Sequence, residues 1–376
     1  MVNPIEEVKP ISQKWTQVHK AASFLREIGS SPFLGNPLIR KQSKLLCFAL
    51  GREVKRHKIL ARTGGFIRSP ILGILLIFLF AFQPLFGNDM KHGIYAASLT
   101  PMNDDFSCNE EALATHCKDL LNRGCQGIVL FGTTGEGPSF TVEERKKILK
   151  AVINRGISPD SLIIGVLCSN IEDAVNLIRY AKEMGCNKVL LAPPFYYNGE
   201  QEEGVVAFYR EVIKRAENPQ LQILLYHIPQ FTGVPITVNI IQVLKQEFPK
   251  VVIGLKESEG NLALTQEVLA KFPGFLVFVG NETHIFDAVR LGAAGSICGI
   301  VNLCPELVCS LYDSDKELRK IKALLVEIRK YPLFPAIKSI AESQKGTSWH
   351  TMRPPLAPLN DDERHALYSK IQNYLD

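Results

Sequence analysis

One lysine stands out for the chemistry it could do. Lys256 closes the apolar run Val251-Val-Ile-Gly-Leu-Lys256 and is followed by Glu257 and Ser258. An amine at the end of a buried strand, with little water around it, is disfavoured as the charged ammonium. The neutral amine can attack a ketone and form a Schiff base. The spacing alone equally allows an ion pair with a carboxylate such as Glu257. Tyr226 ends another apolar run, where a phenol can pass protons or pack as an amphipathic side chain; Tyr196 and Tyr197 carry the same two readings. Gly132-Thr-Thr-Gly-Glu136 offers two hydroxyls and a loop whose backbone N–H groups can converge on a carboxylate. The plainer reading is a tight turn. His227 falls on the opposite face from Tyr226 by strand alternation and reads as structural.

These residues share a place in the pattern: each stands where an apolar run ends. Strands are expected at 94–99, 127–131, 162–167, 188–191, 222–226, 251–255, 275–279 and 295–300. Their apolar character on both faces fits a parallel sheet. Helical stretches lie between them, with Leu113, Cys117, Leu120 and Leu121 on one face of the first. Thr141-Val-Glu-Glu144 is a capping box that starts another. Eight strand–helix units predict an α/β fold, a (β/α)8 TIM barrel, whose active groups sit at the strand ends. A doubly wound sheet is the alternative, but no G-x-G-x-x-G follows the first strand. Residues 313–376 predict a short C-terminal segment of two or three helices, split by Arg353-Pro-Pro-Leu-Ala-Pro358. No H-E-x-x-H, G-x-S-x-G or P-loop pattern occurs, and Glu136, His227 and Glu282 make a thin metal set.

The chain is 376 residues with 46% hydrophobic and 22% charged residues, which excludes wholesale disorder. Residues 1–89 carry 13 basic and 5 acidic residues, against 30 and 33 in residues 90–376. The mildly acidic larger part argues against nucleic acid as a partner. Residues 1–89 read as a separate extension, either a targeting segment, an anchor or upstream sequence read through in frame, with Met90 the natural start. A membrane enters only if the apolar run 71–86 acts as an anchor; its uninterrupted core, 71–82, is shorter than the ~20 residues of a spanning helix. Nine cysteines without a C-x-x-C pair read as reduced thiols of a cytoplasmic protein.

Taken together, Gly132-Thr-Thr-Gly-Glu136, Tyr226-x-x-Pro229 with Thr232-Gly233, and Gly254-x-Lys256-Glu-Ser258 resemble the dihydrodipicolinate synthase/N-acetylneuraminate lyase family, from about Gly93 to Leu359. The resemblance implies a class I aldolase or lyase on a (β/α)8 barrel (residues 90–312). Lys256 would form the Schiff base with pyruvate or another 2-oxo acid. Thr133 and Thr134 would hold its carboxylate, Tyr226 would move the proton, and the Ile297 backbone would lie beside the lysine. Thr133 would link Tyr226 to Tyr197 of a neighbouring subunit, which implies a homodimer or homotetramer. No metal or organic cofactor is required. The partners are a small 2-oxo acid and an aldehyde. The synthase carries an arginine where Phe231 stands, and Phe231 cannot pair with the acceptor's carboxylate. The expectation is therefore a 2-oxo-acid lyase, with a 2-oxo-3-deoxy sugar acid as one substrate. The synthase of lysine biosynthesis is the alternative, and a catalytically silent sugar-acid-binding or membrane-tethered barrel is another.

Overall fold

A computed structural model describes residues 90–198, 201–345 and 349–375. The chain divides into two units, Met1–Gly87 and Asn88–Asp376. The expectations for residues 1–89, with Cys47 and the apolar run, lie outside the described residues. No described helix is long and apolar enough to cross a membrane.

Eight parallel strands close into a barrel in sequence order. They are β1 (Gly93–Ala97), β2 (Gly127–Leu130), β3 (Leu162–Val166), β4 (Lys188–Leu191), β5 (Gln222–His227), β6 (Val252–Glu257), β7 (Leu276–Val279) and β8 (Gly295–Cys298). The helices that follow them are α1 (Glu110–Asn122), α2 (Val142–Asn154), α3 (Ile171–Glu183), α4 (Glu202–Ala216), α5 (Val238–Glu247), α6 (Leu262–Lys271), α7 (Ile285–Arg290) and α8 (Pro305–Ser310). Side-chain alternation builds two apolar layers. Tyr95, Val129, Ile163, Leu190 and Phe278 fill the barrel interior. Ile94, Ile128, Ile164, Val189 and Val277 face the helices. The capping box forms as expected: the Thr141 hydroxyl accepts from the Glu144 N–H, and the Glu144 carboxylate accepts from the Thr141 N–H at 2.8 Å.

Most strand ends differ from expectation by one or two residues; β1 stops at Ala97 rather than at residue 99. β6 runs on to Glu257, because Lys256 and Glu257 stay in register with both neighbouring strands. β8 stops at Cys298, because the Gly299 and Ile300 N–H groups turn aside to donate to the Glu282 carboxylate at 3.1 and 2.9 Å.

Beyond the barrel come three helices, α9 (Leu318–Ile328), α10 (Leu333–Lys345) and α11 (Asp361–Leu375). Arg353 clamps the segment between the last two onto the barrel. Its guanidinium donates to Glu144 at 2.6 Å, to the carbonyl of Phe106 at 2.8 Å and to that of Ser139 at 2.7 Å. That contact draws the Glu144 carboxyl down to about 2.

A buried polar knot joins α1 to the strand ends. Asn302 donates to the carbonyls of Ala97 and Gly299, and its Oδ1 accepts from the Leu99 N–H and from His116 Nε2 at 2.8 Å. His116 Nδ1 is left buried without a partner among the described residues. Burial, helped by the Lys345 charge, lowers the His116 pKa from 6.5 to about 4. The unfolded imidazole takes its proton near 6.5 and the folded one only near 4, so stability is complete above the first value and is lost as pH falls toward the second. The expected loss is on the order of 3 kcal/mol. Urea midpoints at pH 7 and pH ~4.5 check it: His116→Gln should show a smaller acid-side drop than the parent, and an equal drop would count against the assignment.

Candidate active site

The site begins with the register between β5 and β6. Ile223 pairs with Val252, but Leu224 pairs with Gly254, so Ile253 is an extra residue in β6. A one-residue slip exchanges the faces of a strand. This slip is what sets Tyr226 directly beside Lys256. Both then point into the barrel, while His227 and Glu257 point outward. Gly254 is needed at the bulge: a Cβ there would lie 2.3 Å from the Leu276 carbonyl oxygen.

Lys256 is 4% exposed. Its Nζ stands 3.3 Å from the Tyr226 hydroxyl and 4.5 Å from the centre of the tyrosine ring. The same hydroxyl is 3.0 Å from Thr133 Oγ1. The ion pair with Glu257 does not form, because Glu257 lies on the other face and accepts the Gly260 N–H at 2.8 Å. Amine, phenol and threonine hydroxyl therefore make one continuous line.

The threonine loop is held in an unusual backbone shape. Phe131 and Glu136, which bracket it, have φ of 59° and 55°, a left-handed conformation that side chains rarely adopt. The Phe131 carbonyl turns into space left by two glycines; a Cβ would come within 1.9 Å of it at Gly137 and 2.4 Å at Gly165. Thr100 Oγ1 ties down the Gly135 carbonyl at 2.7 Å. The cost of such strain is offset by the surrounding contacts. The backbone N–H groups of Thr133 and Thr134 have no acceptor among the described residues. Unspent donors beside a buried amine are able to receive an anionic oxygen.

Glu136 anchors this loop from below. Its carboxylate meets Lys338 of α10 at 2.7 Å, with both side chains fully buried. Lys338 Nζ also donates to the carbonyls of Thr100 and Thr351, at 3.1 and 2.6 Å. Burial lowers the Lys338 pKa, against the pull of Glu136. The sequence reading passed over Lys338. Its signal was a lone charge inside an apolar stretch, Ala336-Ile-Lys-Ser-Ile-Ala341.

Thr133, Thr134, Tyr226, Lys256, Ile297 and Phe231 all line one cavity of about 290 Å³. Its walls differ in character. Phe231, 60% exposed, leans on Phe334 with ring centres 5.9 Å apart. Ser258, Glu259, Asn281 and Glu282 form a polar side. Burial raises the Glu282 carboxyl. It also raises the Cys298 thiol well above its ordinary range, so this cavity cysteine is no rival nucleophile. Tyr197 is not among the lining residues of its own chain; it is 74% exposed and stacks edge-on with Tyr196 at 5.2 Å.

Among the described residues, His227, Glu257 and Glu259 bring possible ligand atoms within 4.8 Å of one another. The histidine's hydrogen bonds oppose a metal there. His227 Nδ1 accepts the Ile236 N–H at 3.0 Å, so the proton sits on Nε2, which donates to Glu259 at 3.2 Å. The nitrogen facing the carboxylates offers no lone pair. His227 is structural: it fixes the turn after β5.

A sequence profile of the Dihydrodipicolinate synthetase family matches residues 90–374. The chain belongs to that family. It is 33% identical over 292 residues to an uncharacterized DapA-like lyase of Chloroflexus aurantiacus, covering 75% of this chain and 97% of the relative. It is 28% identical over 302 residues to the 4-hydroxy-tetrahydrodipicolinate synthase of Methanothrix thermoacetophila, covering 76% and 98%. The crystal structure of dihydrodipicolinate synthase from Agrobacterium tumefaciens is similar with a TM-score of 0.73 at 33% identity, covering 76% of this chain and 100% of that one. As a member of the dihydrodipicolinate synthetase family the chain is a carbon–carbon lyase.

Proposed function

We propose that this lyase makes or cleaves a C–C bond through a Schiff base between Lys256 and pyruvate or a related 2-oxo acid. The observation that carries the reading is the line from the Lys256 amine through the Tyr226 hydroxyl to Thr133, at 3.3 and 3.0 Å. The amine attacks the keto carbon, the resulting carbinolamine loses water, and a protonated imine remains. That imine withdraws electrons from the adjacent carbon, so a proton can leave there or a C–C bond can break to the enamine. Tyr226 carries the proton among amine, leaving hydroxyl and substrate oxygen. The Thr133 and Thr134 amides, with the Thr134 hydroxyl, hold the 2-oxo acid's carboxylate, and the Ile297 backbone borders the imine.

The relay is completed by Tyr197 of a second copy of the chain, which makes a homodimer the smallest working unit and a homotetramer the expected assembly. The exposure of Tyr196 and Tyr197 supports this. The chemistry calls on no metal or organic cofactor. The eight described cysteines are free thiols, which fits a cytoplasmic setting.

Phe231 favours a lyase of 2-oxo-3-deoxy sugar acids over the synthase of lysine biosynthesis; the 33% identity to the Agrobacterium tumefaciens synthase favours the second reading. A coupled assay separates them. Pyruvate release from a panel of 2-oxo-3-deoxy sugar acids supports the first. Rapid condensation of pyruvate with aspartate semialdehyde, with no such release, overturns it. In either direction Tyr226→Phe should lower kcat by about 10²–10⁴-fold, the usual worth of a positioned proton carrier. The Lys256 adduct should still form slowly, and a kcat within twofold of the parent would remove Tyr226 from the relay.

A further inference from the structure

We infer that Cys125 and Cys309 are a covalent modification site, closing into a reversible disulfide when the protein meets hydrogen peroxide. Cys125 stands in the turn between α1 and β2, and Cys309 stands in α8. An ion pair already joins these two segments. Arg123 Nε and Nη2 donate to the two oxygens of Glu306 at 2.5 Å each, two and three residues from the cysteines. Gly124 lets α8 come close. Its φ of 106° is one that side chains rarely adopt, and a Cβ there would lie 3.6 Å from Cys309 Sγ and 3.7 Å from Cys309 Cβ. The two thiols meet beside that glycine and share a hydrogen bond. Neither cysteine lines the cavity. Cys125 precedes β2, whereas the reacting groups stand at the other ends of the strands, so the bond forms whether or not Lys256 makes a Schiff base.

The two sulfurs differ in a way that sets the order of events. Cys125 is buried and donates the hydrogen bond; Cys309 is half-buried and accepts it. That bond, with the Arg123 charge nearby, holds the Cys309 thiol below its ordinary range, against burial and the Glu306 charge. Every other described cysteine outside the pair is pushed up by burial. The thiolate is the nucleophile, so Cys309 attacks first. It displaces hydroxide from the peroxide: an S–O bond forms, the O–O bond breaks, and the hydroxide takes a proton. Cys125 then gives up its proton and attacks the Cys309 sulfur. The S–S bond forms, the S–O bond breaks and water leaves. Two electrons pass from the sulfur pair to the peroxide, which ends as two waters. A thiol reductant reverses the change by exchange. The closed loop contains β2 through β8, so the bond stabilises the fold by constraining the unfolded chain.

The test treats the reduced full chain with hydrogen peroxide, stops the reaction with catalase, alkylates the remaining thiols, and maps the peptides with and without reduction. One dominant linked pair is expected, Cys125 with Cys309, reversed by dithiothreitol. A melt of the same samples should show the oxidised protein with a Tm higher by about 5–10 °C. Cys125→Ser should stop the reaction at the Cys309 sulfenic acid, which dimedone traps. Cys309→Ser should leave Cys125 reduced at the same peroxide dose. Should either variant fail to fold, mapping and melting of the parent alone decide. No linked pair in the parent, a link of either cysteine to Cys47 or Cys298 instead, or a bond that leaves Tm unchanged overturns the inference.

Discussion

Lys256→Ala should lower turnover by on the order of 10⁴–10⁶-fold, the scale of losing a covalent nucleophile. No other side chain on the cavity can replace it. The Cys298 thiol is pushed well above its ordinary range by burial, and no second lysine lines the cavity. The variant should fold, because Lys256 takes part in no ion pair among the described residues and its truncation exposes no unpaired charge. Circular dichroism and a steady-state assay on the same preparation check both parts. A folded variant with a tenth of the parent's kcat would move the chemistry to another residue.

The second large effect is on stability. Lys338→Met removes the cation under Glu136 and leaves a fully buried carboxylate without its 2.7 Å partner. Breaking a buried pair from one side costs about 3–5 kcal/mol. In a domain of this size that corresponds to a fall in Tm of roughly 10 °C. Glu136→Gln with Lys338→Met should recover much of the loss, since no uncompensated charge remains. The pair also bears on the site, because Glu136 ends the loop that presents Thr133 and Thr134. The single variant should therefore raise KM for the 2-oxo acid as well. A thermal melt of parent, single and double variants decides it: a single variant within about 1 kcal/mol of the parent would mean the pair holds nothing in place.

The barrel was legible because eight apolar runs, each buried on both faces, recur at intervals that only parallel strands with intervening helices satisfy. The residue types of the site were legible too. An amine, a phenol and a pair of threonines at strand ends are unusual enough to notice. Their contact was not. It depends on Ile253 being an extra residue in β6, and nothing in Val251-Val-Ile-Gly-Leu-Lys256 distinguishes a bulge from plain alternation except Gly254 beside it. Strand alternation did place His227 on the outer face, and the same rule disposes of a Lys256–Glu257 pair, since neighbours in a strand point apart. Lys338 was hidden for another reason. A helix period says which face is buried but not that a charge on that face has found a carboxylate two hundred residues earlier. Arg329 and Phe334 reach the cavity only through the way the C-terminal helices fold back, a long-range fact with no local signature.

The central claim is that one buried amine becomes covalently joined to a 2-oxo acid. Reduction with borohydride in the presence of pyruvate, followed by peptide mapping, tests it most directly. The account predicts a single stable adduct, on Lys256, that is absent without pyruvate and absent in Lys256→Ala. No adduct, or one on a different lysine, would contradict it.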